Sequence, residues 1–258
     1  MDLRIAGKSA VVTGASAGIG LACARLFAEE GVNVTLVARS EGKLKEEAAR
    51  IEADYGVQAR GLALDLGTPA GLEALTPHAR TADILVNNAG AIPGGGLDAI
   101  DDARWRASWE LKLFGYIDLC RRILPGMIER RAGVIVNIIG FAGAAPRYDY
   151  LCGSVANAGL IAFTRAVGQH SAKSGVRVVG LNPGPTQTER LVRLYRERAV
   201  SRFGDADRWG ELVADLPFGR PSTAEEMADL TVYLASARAS YLSGVVVDAD
   251  GGAMYGSA

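Results

Sequence analysis

An apolar run at residues 9–12 ends in Thr13-Gly14-Ala15-Ser16-Ala17-Gly18-Ile19-Gly20, and a helical pattern follows over residues 21–30 before a stop at Gly31. A strand, a glycine turn and a helix in that order form the context for a phosphate cradle. Glycines let the backbone approach a pyrophosphate, and the helix start offers free N–H groups and a positive dipole end. The spacing is G-x-x-x-G-x-G rather than G-x-G-x-x-G, and in isolation an ordinary strand-to-helix turn accounts for it equally well.

The rest of the chain extends the pattern. Residues 32–38 read as a second strand, 41–55 as a helix, 59–64 as a third strand and 84–87 as a fourth that runs into Asn88-Ala89-Gly90. Segments 134–139, 176–181 and 245–247 complete a set of seven, with helical patterns between most of them. The alternation predicts an α/β fold, a doubly wound, seven-stranded parallel sheet with helices on both faces and a ligand crevice at the carboxyl ends of its strands. Residues 98–131 form a long helical region, and 186–217 an Arg-rich insertion between a strand and a helix.

The chain has 258 residues, 49% of them apolar, and a net charge of −1, so one domain spanning 1–258 can bury a large core, and no general bias toward nucleic acid is expected. The first residues contain no apolar stretch of signal-peptide length. No later segment approaches a membrane span without Gly or charge, so no membrane partner and a cytoplasmic location are expected. Cys23, Cys120 and Cys152 are odd in number and widely spaced, and His78 and His170 lie far apart, so neither a disulfide framework nor a metal site is expected.

Four motifs together carry a resemblance: the glycine turn 13–20, Asn87-Asn88-Ala89-Gly90, Asn182-Pro183-Gly184, and the closing stretch 244–252 with Asp248 and Asp250-Gly251-Gly252. In order and spacing the chain resembles the short-chain dehydrogenase/reductase family, near its 3-oxoacyl-carrier-protein reductase branch, over essentially its whole length. The resemblance implies a Rossmann-type domain that binds a nicotinamide dinucleotide across the strand ends and acts on a small molecule. It also implies that Asp65 and Leu66 border the adenine, that Asn88, Ala89 and Gly90 line the ribose side, and that Pro183, Gly184, Thr186 and Thr188 meet the nicotinamide. Asn87 is assigned to tying adjacent strands together.

The tip of the second strand decides between cofactors. An acid there would hold the ribose hydroxyls of NAD, but the chain has Ala38-Arg39-Ser40. Without a carboxylate to repel a 2′-phosphate, and with a guanidinium to pair with it, NADP(H) is favoured, Ser16 assisting at the same phosphate; the alternative is a merely solvated Arg39. The cofactor set is therefore Gly14, Ser16, Gly18, Ile19, Gly20, Arg39, Asp65, Leu66, Asn88, Ala89, Gly90, Asn157, Pro183, Gly184, Thr186 and Thr188.

Where the family places its catalytic side chains, this chain differs. The serine after the fifth strand aligns with Gly140, the tyrosine with Gly153 and the lysine with Asn157; the helix asparagine, counted back from Met127, is Lys112. Amine and amide look exchanged between two helices, so Lys112 can keep a cation near the ribose and Asn157 can hydrogen-bond it. Otherwise Lys112 lies along the helix surface with its ammonium in water. Tyr148 and Tyr150 precede Gly153, and Tyr150 is near enough in sequence to replace the missing phenol or else to pack as an aromatic wall. Cys152 reads as a small buried hydrophobe, and Gly140 with Gly153 leave room for a bulkier substrate.

Arg190, Arg193, Arg196, Arg198 and Arg202 fall in the 186–217 insertion, expected to close over substrate as a lid. They suit an anionic substrate, and equally a solvated helix face interleaved with Glu189 and Glu197. Three functions remain open: an NADP-dependent oxidoreductase with an atypical active site (Lys112, Tyr150 and Asn157), a catalytically silent cofactor-binding or regulatory homologue, and a non-redox lyase or isomerase that uses Lys112. Members of the family that the chain resembles pair the helix before the fifth strand and the helix after it across a two-fold axis; the resemblance, with apolar positions on more than one face of segments 109–127 and 155–169, implies a homo-oligomer, a tetramer of closed symmetry.

Overall fold

Successive residues of a strand point to opposite faces of its sheet, and here both sets are apolar. In the computed structural model, which describes residues 1–254, Ala10 and Val12 enter one core cluster and Val11 another. The strands are β1 (Ser9–Thr13), β2 (Asn33–Ala38), β3 (Ala59–Ala63), β4 (Ile84–Asn87), β5 (Val134–Ile138), β6 (Arg177–Pro183) and β7 (Val246–Ala249). They form one parallel sheet in the order β3-β2-β1-β4-β5-β6-β7, the doubly wound arrangement expected from the sequence.

Helices α1 (Gly18–Glu29), α2 (Glu41–Tyr55) and α9 (Ala224–Ala235) cover one face, burying Phe27, Leu44, Met227 and Val232 against Val12, Leu36, Val86 and Val136. On the other face α3 (Pro69–Ala79), α5 (Gly115–Arg130) and α6 (Leu151–Ala172) cover Val11, Leu85, Ile135 and Val178 with Leu75, Leu119, Ile123, Met127 and Phe163. By length and composition α6 could cross a membrane, but half of that stretch is buried in the protein.

Strand limits differ from the sequence pattern for a physical reason. Val32 and Val176 are fully buried, but their N–H groups bond to Phe27 O and Ser171 O at the ends of the preceding helices, outside the ladder. The ladder in turn continues past the apolar residues, pairing Asn182 with Asp248 and Pro183 with Ala249.

The long helical region is divided. Asp101 caps α4 (Asp102–Trp109) by accepting from the Arg104 amide, a π-helical turn follows over Glu110–Phe114, and α5 continues to Arg130. Within the 186–217 segment lie α7 (Glu189–Phe203), capped by Thr188, and the short α8 (Trp209–Ala214). Asn87 braces the sheet as expected: its Nδ2 donates to Asn137 Oδ1 at 2.9 Å, and Asn137 Nδ2 donates to Thr164 Oγ1 of α6 at 2.9 Å.

Candidate active site

At the centre of the sheet, where the connections of β1 and β4 diverge, a clamp fixes the glycine turn. Thr13 Oγ1 donates to Val86 O and accepts from the amides of Asn88 and Ala89, while Asn88 Nδ2 donates to Thr13 O at 3.0 Å and Gly14 O at 3.3 Å. A Cβ on Gly14 would lie 2.8 Å from Asn88 Nδ2, and one on Gly20 would meet both that atom and Gly14 O. Only glycine permits this approach. The N-cap of α1, Ala17, has no side-chain partner for the first-turn amides, so the helix start faces the cleft with its N–H groups free of a cap.

Gly14, Ser16, Gly18, Ile19, Asn88, Ala89, Gly90 and Thr188 line one part of the cleft. Arg39, Asp65, Gly67 and Gly90 line the next, beyond the tip of β2. Gly20 is buried under the turn. Leu66 departs from expectation: it is 4% exposed and packs into the core between Val37 and Leu72, leaving Asp65 and Gly67 to border the cleft. Leu66 lies in the turn that follows β3, and its apolar side chain folds under that turn onto the core.

The third part is a cavity of about 220 Å³ lined by Lys112, Gly140, Tyr150, Asn157, Pro183, Gly184, Thr186 and Thr188, among others. Lys112 is not on the helix surface. It lies in the π-helical turn, 8% exposed, and its Nζ donates to Ile138 O at 2.7 Å and to Tyr116 Oη at 3.1 Å. The Tyr116 hydroxyl also donates to Ile138 O, at 3.0 Å. Burial, and next the positive charge of Arg190, pull the Lys112 ammonium down to about 7. Burial pushes the Tyr116 phenol well above its usual range. Tyr116 was not singled out from the sequence, although its i+4 spacing from Lys112 puts both on one helix face.

Asn157 shares that cavity with Lys112, 3% exposed, and its Oδ1 is buried without a partner. An orphaned acceptor at this point fits a ribose hydroxyl. Together with the glycine cradle, the uncapped α1 start and Arg39 at the β2 tip, it makes the residues present fit a nicotinamide dinucleotide.

The two substituted glycines do not leave empty space, contrary to expectation. Gly140 has φ +136°, a region costly for a side chain, and a Cβ there would sit 2.8 Å from Asn157 Nδ2. A Cβ on Gly153 would collide with the ring of Tyr150, which lies over it and fills the room. Tyr150 thus enters the cavity, and its Oη accepts from Arg190 Nη2 at 3.1 Å. Tyr148 does not enter; it is 64% exposed and covers Gly96. Cys152 is fully buried, the small hydrophobe expected.

The arginines of the insertion separate by place. Arg190 and Arg198 line the cavity, and Arg193 the two nucleotide parts of the cleft. Arg196 pairs instead with Asp207, and Arg202 stacks on Phe203. Arg147, which sequence reasoning missed, adds a further cation to the wall and pairs at 3.0 Å with Asp149, which also pairs with Arg198 at 3.1 Å. Among the described residues the cavity wall holds Lys112, Arg147, Arg190 and Arg198 and no Asp or Glu. No cluster of metal-ligating side chains occurs among the described residues.

Sheet order, glycine cradle and cleft define a dinucleotide-binding oxidoreductase fold. Residues 8–199 match the family model for short chain dehydrogenase, so the chain belongs to the short-chain dehydrogenase family. It is 33% identical to a 3-oxoacyl-[acyl-carrier-protein] reductase of Vibrio cholerae, covering 97% of this chain and 98% of the relative. A cis-4-hydroxycyclohexanecarboxylate dehydrogenase of Sinomonas cyclohexanicum is 35% identical, with 98% of each covered. L-sorbose reductase of Gluconobacter frateurii, solved with NADPH and L-sorbose, superposes with a TM-score of 0.91 at 35% identity over 99% of both chains.

The state of Lys112 has a measurable consequence. Its ammonium is held to about 7 in the fold, while the unfolded chain keeps the proton up to the ordinary lysine range, about 10.4. Between those limits the unfolded state binds more protons, so the Lys112 contribution to stability rises with pH. Lys112→Met removes that dependence. The stability difference between wild type and Lys112→Met, from denaturant midpoints, should move in favour of wild type by about 2–3 kcal/mol from pH 7 to pH 9; a difference constant with pH would show that the amine is not held neutral.

Proposed function

We propose that the chain is an NADP(H)-dependent oxidoreductase that interconverts a carbonyl and an alcohol on a substrate carrying a carboxylate or similar anion. The observation that carries this reading is a cavity beside the nucleotide cleft with three arginines, Arg147, Arg190 and Arg198, and no acid on its wall. Asp149 neutralises only one charge of the Arg147 and Arg198 pair, leaving a cationic end for an anionic group. One relative's name describes such a compound, a hydroxyl and a carboxylate on one ring.

The cofactor is NADP(H). Arg39 at the β2 tip suits the 2′-phosphate, with Ser16 assisting, and the α1 start suits the pyrophosphate. When bound, the nicotinamide supplies or accepts the hydride. The chain binds and orients: Asn157 takes a ribose hydroxyl, Pro183, Gly184, Thr186 and Thr188 form the wall beside the nicotinamide, and the 186–217 segment acts as a lid that excludes water. Lys112 is a structural neighbour of the site, its buried Nζ seated on Ile138 O and Tyr116 Oη. The chain acts as one domain and assembles as a tetramer through α5 and α6, where Phe114, at the end of the π-helical turn that leads into α5, and Val155 of α6 expose apolar surface.

Three measurements test this. By calorimetry NADPH should bind about ten- to a hundredfold more tightly than NADH, the size of one charge-assisted contact, and Arg39→Ala should erase most of the gap; equal affinities in wild type would refute the cofactor assignment. With NADPH, 4-oxocyclohexanecarboxylate should show a kcat/KM at least about tenfold above that of cyclohexanone, and Arg198→Ala should abolish the preference; equal use of both ketones rejects the anionic substrate. Light scattering at micromolar concentration should give the mass of four chains, and a monomer would contradict the assembly.

A further inference from the structure

We propose that Arg190 is a positioning residue for proton transfer: carried on α7, it closes onto Tyr150 and sets that phenol, seated over Gly153, as the donor to the substrate oxygen. This rests on the oxidoreductase reading above. Tyr150 lies at the start of α6, and its ring occupies the room that a side chain at Gly153 would need. The phenol therefore enters the cavity from the residue three positions earlier in the chain.

Arg190 is held by three acceptors. Its Nη1 donates to Gly90 O at 3.1 Å, and its Nη2 donates to Ile92 O at 3.0 Å and Tyr150 Oη at 3.1 Å. The guanidinium joins the lid helix to the loop after β4 and to the phenol at once, where the cavity meets both parts of the nucleotide cleft. Lys112 is directed instead to Ile138 O and Tyr116 Oη. The cation in hydrogen-bond contact with the phenol is therefore Arg190.

In the reductive direction the Tyr150 O–H bond would break and its proton pass to the substrate oxygen, the C=O π pair becoming the new O–H bond while the carbon forms a C–H bond with the hydride that a bound reduced nicotinamide would supply. The phenolate left behind is balanced by Arg190 and regains its proton from water. The guanidinium that faces the phenol is the same one that fastens α7 to Gly90 and Ile92. Proton delivery is thereby coupled to lid closure.

The test uses the full chain with NADPH and 4-oxocyclohexanecarboxylate. Tyr150→Phe and Arg190→Ala should each lower kcat about a hundredfold or more, the worth of a general acid, with a much smaller change in KM for the ketone. Millimolar guanidinium should restore part of the kcat of Arg190→Ala and none of that of Tyr150→Phe. Arg190→Lys should recover little, because a single ammonium cannot serve three acceptors. The double variant should be no worse than either single one. A rise in KM alone for Arg190→Ala, or a double variant whose loss is the product of the singles, overturns the proposal. If wild type does not reduce this ketone, the substrate reading fails, and amide exchange in α7 then decides. Each single substitution should speed exchange about tenfold, and the double no further, if the two side chains act as a unit; unchanged exchange overturns it.

Discussion

The hydrogen bonds between Thr13 and Asn88 hold together the two sides of the cleft. Thr13 ends β1 and Asn88 follows β4, the strands at which the sheet changes its winding direction, and their contacts seat Asn88 directly on the glycine turn. A side chain on Gly14 or Gly20 would drive the loops apart. The parallel ladder brings the ends of β5 and β6 to the same edge, so Ile138, Gly140 and Pro183 border the cavity that opens from that floor. The site is an outcome of ladder register first and of side chains second.

The residues around the cavity are consistent with one another in their packing. Lys112 is buried at the cost of its charge, and the carbonyl of Ile138, with the hydroxyl of Tyr116, supplies the acceptors that a buried amine requires. Gly140 and Gly153 follow from what lies against them. The backbone at Gly140 has positive φ and Asn157 stands over it, and Tyr150 stands over Gly153. Replacing either glycine alone by the family's residue would therefore collide with a neighbour before restoring any chemistry. Each glycine thus matches one neighbour, Gly140 with Asn157 and Gly153 with Tyr150.

Charge in the cavity comes from three segments distant in the chain: the π-helical turn, the loop before α6, and α7. Asp149 draws Arg147 and Arg198 together, a brace between the loop and α7 that leaves one net positive charge at the wall. Arg190 performs the same mechanical task on the other side, tying α7 to the loop after β4. α7 is thus fastened by guanidinium contacts in its first and third turns.

The sequence by itself determined the layers of the fold, the glycine turn, the cleft at the strand ends and the identity of the substituted positions, because strand and helix periodicity and glycine spacing are local properties of the chain. It also located Lys112, Tyr150 and Asn157 in one region. Tertiary structure decided which way side chains turned and what each one met. It buried Lys112 beside Tyr116, turned Leu66 into the core, excluded Tyr148, Arg196 and Arg202 from the cavity, and filled with Tyr150 and Asn157 the space that two glycines had suggested was vacant. The bond from Arg190 to Gly90 spans 100 positions and that to Tyr150 spans 40, and no pattern within a window of the chain carries such pairings. They arise only when the sheet register brings the loops together and close packing leaves each side chain a single place to go.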